Sequence, residues 1–551
     1  MASQWVGQPR IKGFSETMRM VLLTSSIIGI EFAWGTEMTY CNPYLLSLGM
    51  PKSKLSLVWI AGPLSGLVMQ PIIGTLSDKS TSKYGRRRPY MMAGSLAVAT
   101  CYLILGWSKE LGGWFSQDAE LKRQYAIIVA VVDIYILDFL INIAMSACRA
   151  LVVDTLPISK QQLGAAWISR MIGIGRLMVY AFGAVDLNAV MGNTLGDTQF
   201  KKECVIAALA MTLAQGLTCW AVEERVLVAS RGSSGTGQSI SGVVLQIYDA
   251  FLHVPERIQA ICWVNFWAYI GWFPFLFYSS TWVGEIYLHH EAGGGDTTKT
   301  ALDKVGQQGS RALIVYSIVG TASSIVLPWL IQSPEDEEKA GYTSRPPRFL
   351  EGILKRIKLR KPTLLTSWAL SNLVFASAMI FAPLVQTVAF ATVLMAICGV
   401  SSAFVAFAPV TFLGVEVNRL SSAMPTGHSR SPSHRKSMDS MELGDSPTIL
   451  HLRSDSETSV VTSTGELSGI YLGILNIYTT LPQFVGTAIS WIVFSILDPG
   501  KSAALTEVPG AAQGQGGESG VSAIGVCLFV GALSAVGAAW ATRRLRRSQR
   551  G

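Results

Sequence analysis

Seven ionisable residues sit inside stretches of the chain that are otherwise apolar: Glu31, Glu37, Asp133, Asp138, Arg149, Arg176 and Glu285. A charge at the centre of a bilayer-crossing helix costs on the order of 2.5 to 3.5 kcal/mol, so each is a candidate for ligand binding or proton transfer. In DIYILDFLINIAMSACRAL, Asp138, Asn142, Met145 and Arg149 follow offsets of four, three and four, which places them on one helical stripe facing protein or water. Asp138 and Arg149 are roughly 16 Å apart along the axis and cannot pair with each other. Asp138 is therefore expected near a cavity shared with the first-span carboxylates, with Arg149 held by one of them or by substrate hydroxyls. The plainer reading has Arg149 snorkelling to an interface and Asp138 making a structural hydrogen bond. Glu31 and Glu37 lie about 120° apart on their helix, so one can face the cavity while the other pairs within the first half. A carboxyl in a poorly solvated site can take up a proton and release it when an arginine approaches; fixed ion pairs are the alternative.

Uncharged groups extend the candidate set. The segment ICWVNFWAYIGWFPFLFYSSTW contains Trp263, Trp267, Trp272 and Trp282. Aromatic faces pack on the C–H surface of sugar rings while carboxylates, amides and arginines take the hydroxyls. Interface belts and helix packing account for such rings equally well, with Trp272 the one assigned to the site. Pro274 predicts a kink or gate in the same span. In GIYLGILNIYTTLPQ, Gly469 and Gly473 allow close helix approach, and Asn476 and Gln483 share a face on which they can line a cavity or simply pack.

These residues need long apolar helices to hold them. The chain of 551 residues is 50% hydrophobic and 15% charged, a composition suited to a bilayer. Apolar windows that can span it fall near 20–46, 56–76, 90–107, 125–153, 164–186 and 204–222, then 260–282, 311–331, 364–383, 387–409, 468–495 and 521–541. The first is longer than a secretory signal core and contains two glutamates, so it is read as retained. The eight Cys form no CxxC pair, and neither a disulfide framework nor a metal site or cofactor is expected. Lys and Arg concentrate in the tails and alternate connections, which predicts both termini in the cytoplasm. The net charge of +8 and the RRLRRSQR tail then read as topology and affinity for anionic membrane lipid, not as a nucleic-acid footprint.

The expected organisation is a six-span half at 1–222, a cytoplasmic linker at 223–259, a second six-span half at 260–541 and a basic tail at 542–551. Within the second half, 418–466 is Ser-rich and unable to bury a core, either a regulatory loop with Ser431-Pro432 and Ser446-Pro447 or a tolerated linker. FLEGILKRIKLRK in the 332–362 connection can lie on the inner leaflet as a basic amphipathic helix, and 499–520 is Gly-rich. Two six-helix halves joined by a linker is the plan of the major facilitator fold, an all-α membrane architecture with its substrate site near mid-membrane between the halves.

Five motifs carry a family resemblance: GIEFAWGTEMTYCNPYLLSLG (29–49), SDKSTSKYGRRRP (77–89), LDFLINIAMSACRALVVD (137–154), WFPFLFYSSTWVGEIY (272–287) and GIYLGILNIYTTLPQ (469–483). Through them the chain resembles the sucrose/proton symporters of the glycoside-pentoside-hexuronide group, and especially the branch of fungal α-glucoside permeases and animal membrane-associated transporter proteins. The resemblance implies import of sucrose, maltose or related sugars with protons. It places Asp138 and Arg149 on the family's fourth-span acid and arginine, and Glu31 on an acidic position of the fungal and animal branch. It further implies that the connection between spans two and three is a conformational latch, in which Asp78, Arg86, Arg87 and Arg88 exchange pairs with Asp154 and with helix C-termini as the halves rock; a positive-inside anchor is the plainer reading. Two departures stand out. Plant members usually have acidic residues after the WFPF motif, where Ser279 and Ser280 stand here, and their eighth-span acid has no counterpart beyond Arg311 near the start of that span. At these positions plant coupling chemistry and a strict sucrose preference do not carry over.

The expected function is thus proton-coupled symport of an α-glucoside by a monomeric, multi-pass protein of the plasma membrane. Facilitated transport and a transporter-like sensor signalling through 418–466 remain as alternatives. An intramembrane enzyme is disfavoured, because all six His lie outside the expected spans and no nucleophile has an evident base.

Overall fold

The computed structural model describes residues 4–78, 80–116, 118–157, 160–228, 254–291, 298–331, 362–423, 455–498 and 522–550. The two Ser-Pro pairs, the basic FLEGILKRIKLRK segment, the Gly-rich 499–520 connection and the side chain of Asp78 lie outside the described residues.

Among the described residues, twelve long helices form the body. In the first half these are α1 (Glu16–Ser47), α2 (Lys52–Gly74), α3 (Arg88–Gly106), α4 (Ala119–Thr155), α5 (Gln161–Ala184) and α6 (Gln199–Ala221). In the second they are α7 (Glu256–His290), α8 (Asp303–Leu327), α9 (Leu364–Leu384), α10 (Val388–Val417), α11 (Tyr471–Leu497) and α12 (Ala523–Arg547). Eleven are long and apolar enough to cross a membrane, and α5, with 24 residues, is long enough but carries Arg170 and Arg176. Local chemistry sets several starts. The Ser15 hydroxyl accepts from the Met18 N–H at the head of α1, Thr198 and Thr363 cap α6 and α9 in the same way, and Pro89 occupies the first turn of α3, where its missing N–H costs nothing.

Several helices outrun their apolar windows, because polar turns continue the helix into the interface. At 37 residues, α4 extends beyond both ends of the expected 125–153 window. Likewise α7 continues past the expected end at 282, so His289 and His290 lie in its last turns instead of outside the span.

In the first half α1 packs on α5 and α6, α3 on α4 and α6, and α2 on α4; in the second, α7 packs on α8, α11 and α12, and α9 on α10 and α12. The halves meet along α5–α8 and α2–α11. The interior is apolar and aromatic, with Tyr102, Leu137, Trp272, Phe375 and Trp282 buried, while Leu96, Ile128, Leu213 and Val393 point outward as lipid-facing side chains do. All eight cysteines are free and buried.

Two small antiparallel ladders lie beneath the first half. β1 (Gln4–Val6) pairs with β4 (Val226–Val228), and β2 (Arg10–Ile11) pairs with β3 (Val222–Glu223). Strands of two or three residues leave no alternation to read, so they escape a sequence-based reading. They tie the N-terminal segment to the chain that leaves α6.

Candidate functional site

A cavity of about 270 Å³ lies at the boundary of the halves, near the lower end of the ~300–1,000 Å³ range of ligand clefts. Its wall comes from α1, α2, α4 and α5 on one side and α7, α8 and α11 on the other.

Glu31, Asn142, Arg149, Arg176, Asn476 and Gln483 all line it. On α4, Asn142, Met145 and Arg149 share the cavity face, while Asp138, one turn above Asn142, is fully buried behind it. The site a Cβ would take on the cavity-lining Gly62 is 3.9 Å from both Asp138 carboxylate oxygens. Asp138 thus sits directly behind the α2 wall.

Ion pairing separates the carboxylates into two groups. Arg176 Nε donates to Glu31 Oε2 at 2.9 Å, with the arginine partly open to the cavity and the glutamate mostly shielded. The pair depends on close approach of α1 and α5, since a Cβ on Gly175 would lie 2.8 Å from Glu31 Cβ. Arg149 is open to the cavity and lies within Coulomb reach of Glu31. Glu37 and Asp138 are fully buried, and among the described residues no hydrogen-bond partner reaches any of their four carboxyl oxygens. Glu37 lies within electrostatic reach of Asp138 and Asp133. The helix widens to π geometry over Glu37–Cys41, a local insertion of the kind found at functional sites.

Polar side chains connect the walls. Asn142 Nδ2 donates to Ser65 Oγ at 2.8 Å and to the Asp138 carbonyl at 3.0 Å. Asn476 Nδ2 reaches Gln70 Oε1 across the two halves at 3.3 Å, and Gln483 Nε2 bonds back to the Thr479 carbonyl at 3.2 Å. The aromatic wall is made by Trp34, Tyr180, Tyr269, Phe273, Phe275, Phe277 and Tyr316. Trp272 is not part of it. Its ring turns away from the cavity against Phe275 and Phe375, with centroids 5.3 and 4.6 Å away.

At the end of the molecule away from the termini, the halves are closed together. Lys52 at the start of α2 pairs with Glu285 of α7 at 2.6 Å and with Asp498, just past α11, at 2.8 Å. Beside it Asn42 donates to the Phe277 carbonyl and accepts from Trp59 Nε1 at 2.7 Å, while the Trp59 and Phe277 rings lie 4.6 Å apart. Ser280 Oγ donates to the Thr39 carbonyl at 3.3 Å.

At the end that carries the termini, the described ion pairs stay within one half. Arg86 Nη2 meets Asp154 Oδ1 at 2.5 Å and Arg87 Nε meets Asp154 Oδ2 at 2.8 Å, while Arg87 also donates to the Ser77 hydroxyl. Arg88 contributes its backbone N–H, which donates to Glu224 Oε1 at 2.8 Å. The N–H groups of Arg86 and Arg87 donate to the same carboxylate at 3.0 and 2.9 Å. Glu224 therefore seats a negative charge on the N-terminus of α3, where the helix dipole favours it. In the second half Arg257 approaches Glu416 at 3.8 Å.

Sequence reasoning missed Lys52, Glu224 and Gln70. Lys52 and Glu224 lie just outside apolar windows, where charge is ordinary; their partners come from distant segments. Gln70 is uncharged and so raised no cost of burial. A polar side chain on the α2 face that carries Gly62 and Gly66 was the signal available for it.

Comparisons with known proteins agree with this architecture. Residues 25–241 match the family described as MFS/sugar transport protein. Over 526 residues, covering 87% of each chain, the protein is 28% identical to the general alpha-glucoside permease of Schizosaccharomyces pombe. It is 30% identical to the sucrose transport protein SUC4 of Arabidopsis thaliana over 58% of this chain and 64% of that one. Among solved structures it is similar in fold to a nucleoside transporter (TM-score 0.52, 11% identity, 96% of this chain and 99% of that chain). It is also similar to the inward-facing, unoccupied structure of a bacterial homologue of the human lysosomal transporter Spinster (TM-score 0.51, 12% identity, 97% and 99%). With twelve long helices among the described residues, in two halves around a shared cavity, the chain has the all-α major facilitator fold, and in sequence it is similar to an α-glucoside permease and to plant sucrose transport proteins.

Proposed function

We propose that this protein carries a disaccharide of the sucrose and maltose α-glucoside class across the plasma membrane together with protons, by alternating access, with both termini in the cytoplasm. The observation that carries the reading is the shared cavity itself: two accessible arginines, one glutamate and four amides converge there on a wall of tryptophan, tyrosine and phenylalanine. That mixture suits a ligand with many hydroxyls and an apolar ring face. The names of the matched relatives, an alpha-glucoside permease and sucrose transport proteins, point to the same substrate class.

Coupling is assigned to the carboxyls. Glu31 is paired with Arg176 and lies within electrostatic reach of Arg149, so movement of either arginine changes the charge that faces the cavity. Asp138 and Glu37, unpaired behind the wall, are the groups available to carry a proton through the cycle. Sugar hydroxyls entering between Arg149 and Asn142 would compete for these partners, which links sugar occupancy to proton occupancy.

The conformational cycle follows from the two ends. Closure at Lys52, Glu285 and Asp498 would break to admit sugar from outside, and Arg86, Arg87, Arg88, Asp78 and Asp154 serve as the latch at the cytoplasmic end. The latch pairs seen here brace the first half internally while the halves are joined at the opposite end.

The test is uptake of labelled maltose into proteoliposomes, challenged with excess sucrose, maltose, trehalose or glucose. Inhibition by the disaccharides well beyond that by glucose is expected, and equal inhibition by glucose, or no uptake, overturns the substrate assignment.

A further inference from the structure

A second cavity, of about 310 Å³, opens away from the transport path, between α9 and α12 at the end that carries the termini. Its inner wall is apolar: Leu373, Val536 and Trp540 line it and are 45%, 47% and 61% exposed, a hydrophobic groove with no protein cover among the described residues. Its mouth is cationic. Arg543 and Arg546 border it beside Thr366, and Arg546 Nη2 donates to the Thr366 hydroxyl at 3.0 Å. Among the described residues no carboxylate pairs with either arginine.

From Arg546 back to Val536 the groove follows α12 for roughly 15 Å at 1.5 Å per residue, from the interface toward the apolar layer. Two charges at the headgroup level above an apolar channel match an amphiphile with an anionic head and an acyl tail. Free phosphate would use only the mouth, and a zwitterionic lipid supplies less counter-charge to the arginines.

We propose that this groove is a binding site for an anionic glycerophospholipid, its phosphate held between Arg543 and Arg546 and one acyl chain laid along Leu373, Val536 and Trp540. Basic pockets between membrane helices recognise acidic headgroups in this way. The neighbouring Arg544 and Arg547 are exposed and do not border the groove, which separates a site from the general charge of the tail.

The test is native mass spectrometry of the purified full chain with phosphatidylserine or phosphatidylcholine of matched acyl chains, with and without millimolar inorganic phosphate. Phosphatidylserine is expected to be retained in preference to phosphatidylcholine. The R543Q/R546Q pair lowers its retention on the order of tenfold, while R544Q/R547Q, with the same charge loss, leaves it within about twofold. Ala539→Phe, which fills the groove without touching charge, also lowers it. Equal losses in both arginine pairs, retention untouched by A539F, or full displacement by inorganic phosphate would each overturn the site.

Discussion

The Glu31–Arg176 pair shows what residue types alone can and cannot reveal. Both were conspicuous as charges in apolar stretches, yet their pairing depends on Gly175, which lets α1 and α5 approach closely enough. Asp138, Asn142 and Arg149 were placed on one stripe by spacing alone; the depth of Asp138 behind Gly62 was not legible, because it depends on the α2 backbone. Trp272 packs against Phe275 and Phe375 and does not line the cavity, a placement the sequence leaves open because nothing in an aromatic-rich span says which rings face the partner half. Gly85 offers the sharpest test at this scale. It has φ +103°, and a Cβ there would meet the Glu224 side chain at 2.7 Å. Gly85→Ala is expected to cost about 1–3 kcal/mol from the strained backbone, read as a fall of several degrees in Tm of the purified protein. An unchanged Tm would contradict the left-handed backbone at Gly85 and its close approach to Glu224.

At the scale of elements, most helix existence was legible from apolar windows, because the bilayer demands some 20 apolar residues per crossing. Helix ends were not, since α4 and α7 continue through polar turns, and the short β ladders carry no periodic signal. Contacts between elements of different halves were beyond reach for the same reason that Lys52 was: its partners, Glu285 and Asp498, lie in the other half of the chain, far away in sequence. Those pairs yield a prediction. Lys52→Ala, or Glu285→Gln with Asp498→Asn, weakens closure at the end away from the termini. A cysteine placed at the cavity-lining Thr480 should then react several times faster with an impermeant thiol reagent applied from outside, over a low background because the native cysteines are buried. Unchanged labelling would remove Lys52 from the closure.

For the whole molecule, a twelve-helix architecture in two halves could be read from composition and spacing, and the cavity stands where the halves meet. One proposed linkage is central: the cavity proposed to take the sugar is lined by Glu31, Arg149 and Arg176, with Glu31 paired to Arg176, while Asp138 and Glu37 are buried with no hydrogen-bond partner on their carboxyl oxygens among the described residues. Under that proposal sugar and proton occupancy change together. The most direct measurement is external pH in lightly buffered, de-energised cells expressing the protein, recorded as sucrose or maltose is added. The account predicts alkalinisation that tracks sugar entry and is lost in Asp138→Asn while the protein still reaches the membrane. Sugar entry with no proton movement in the unaltered protein would contradict it.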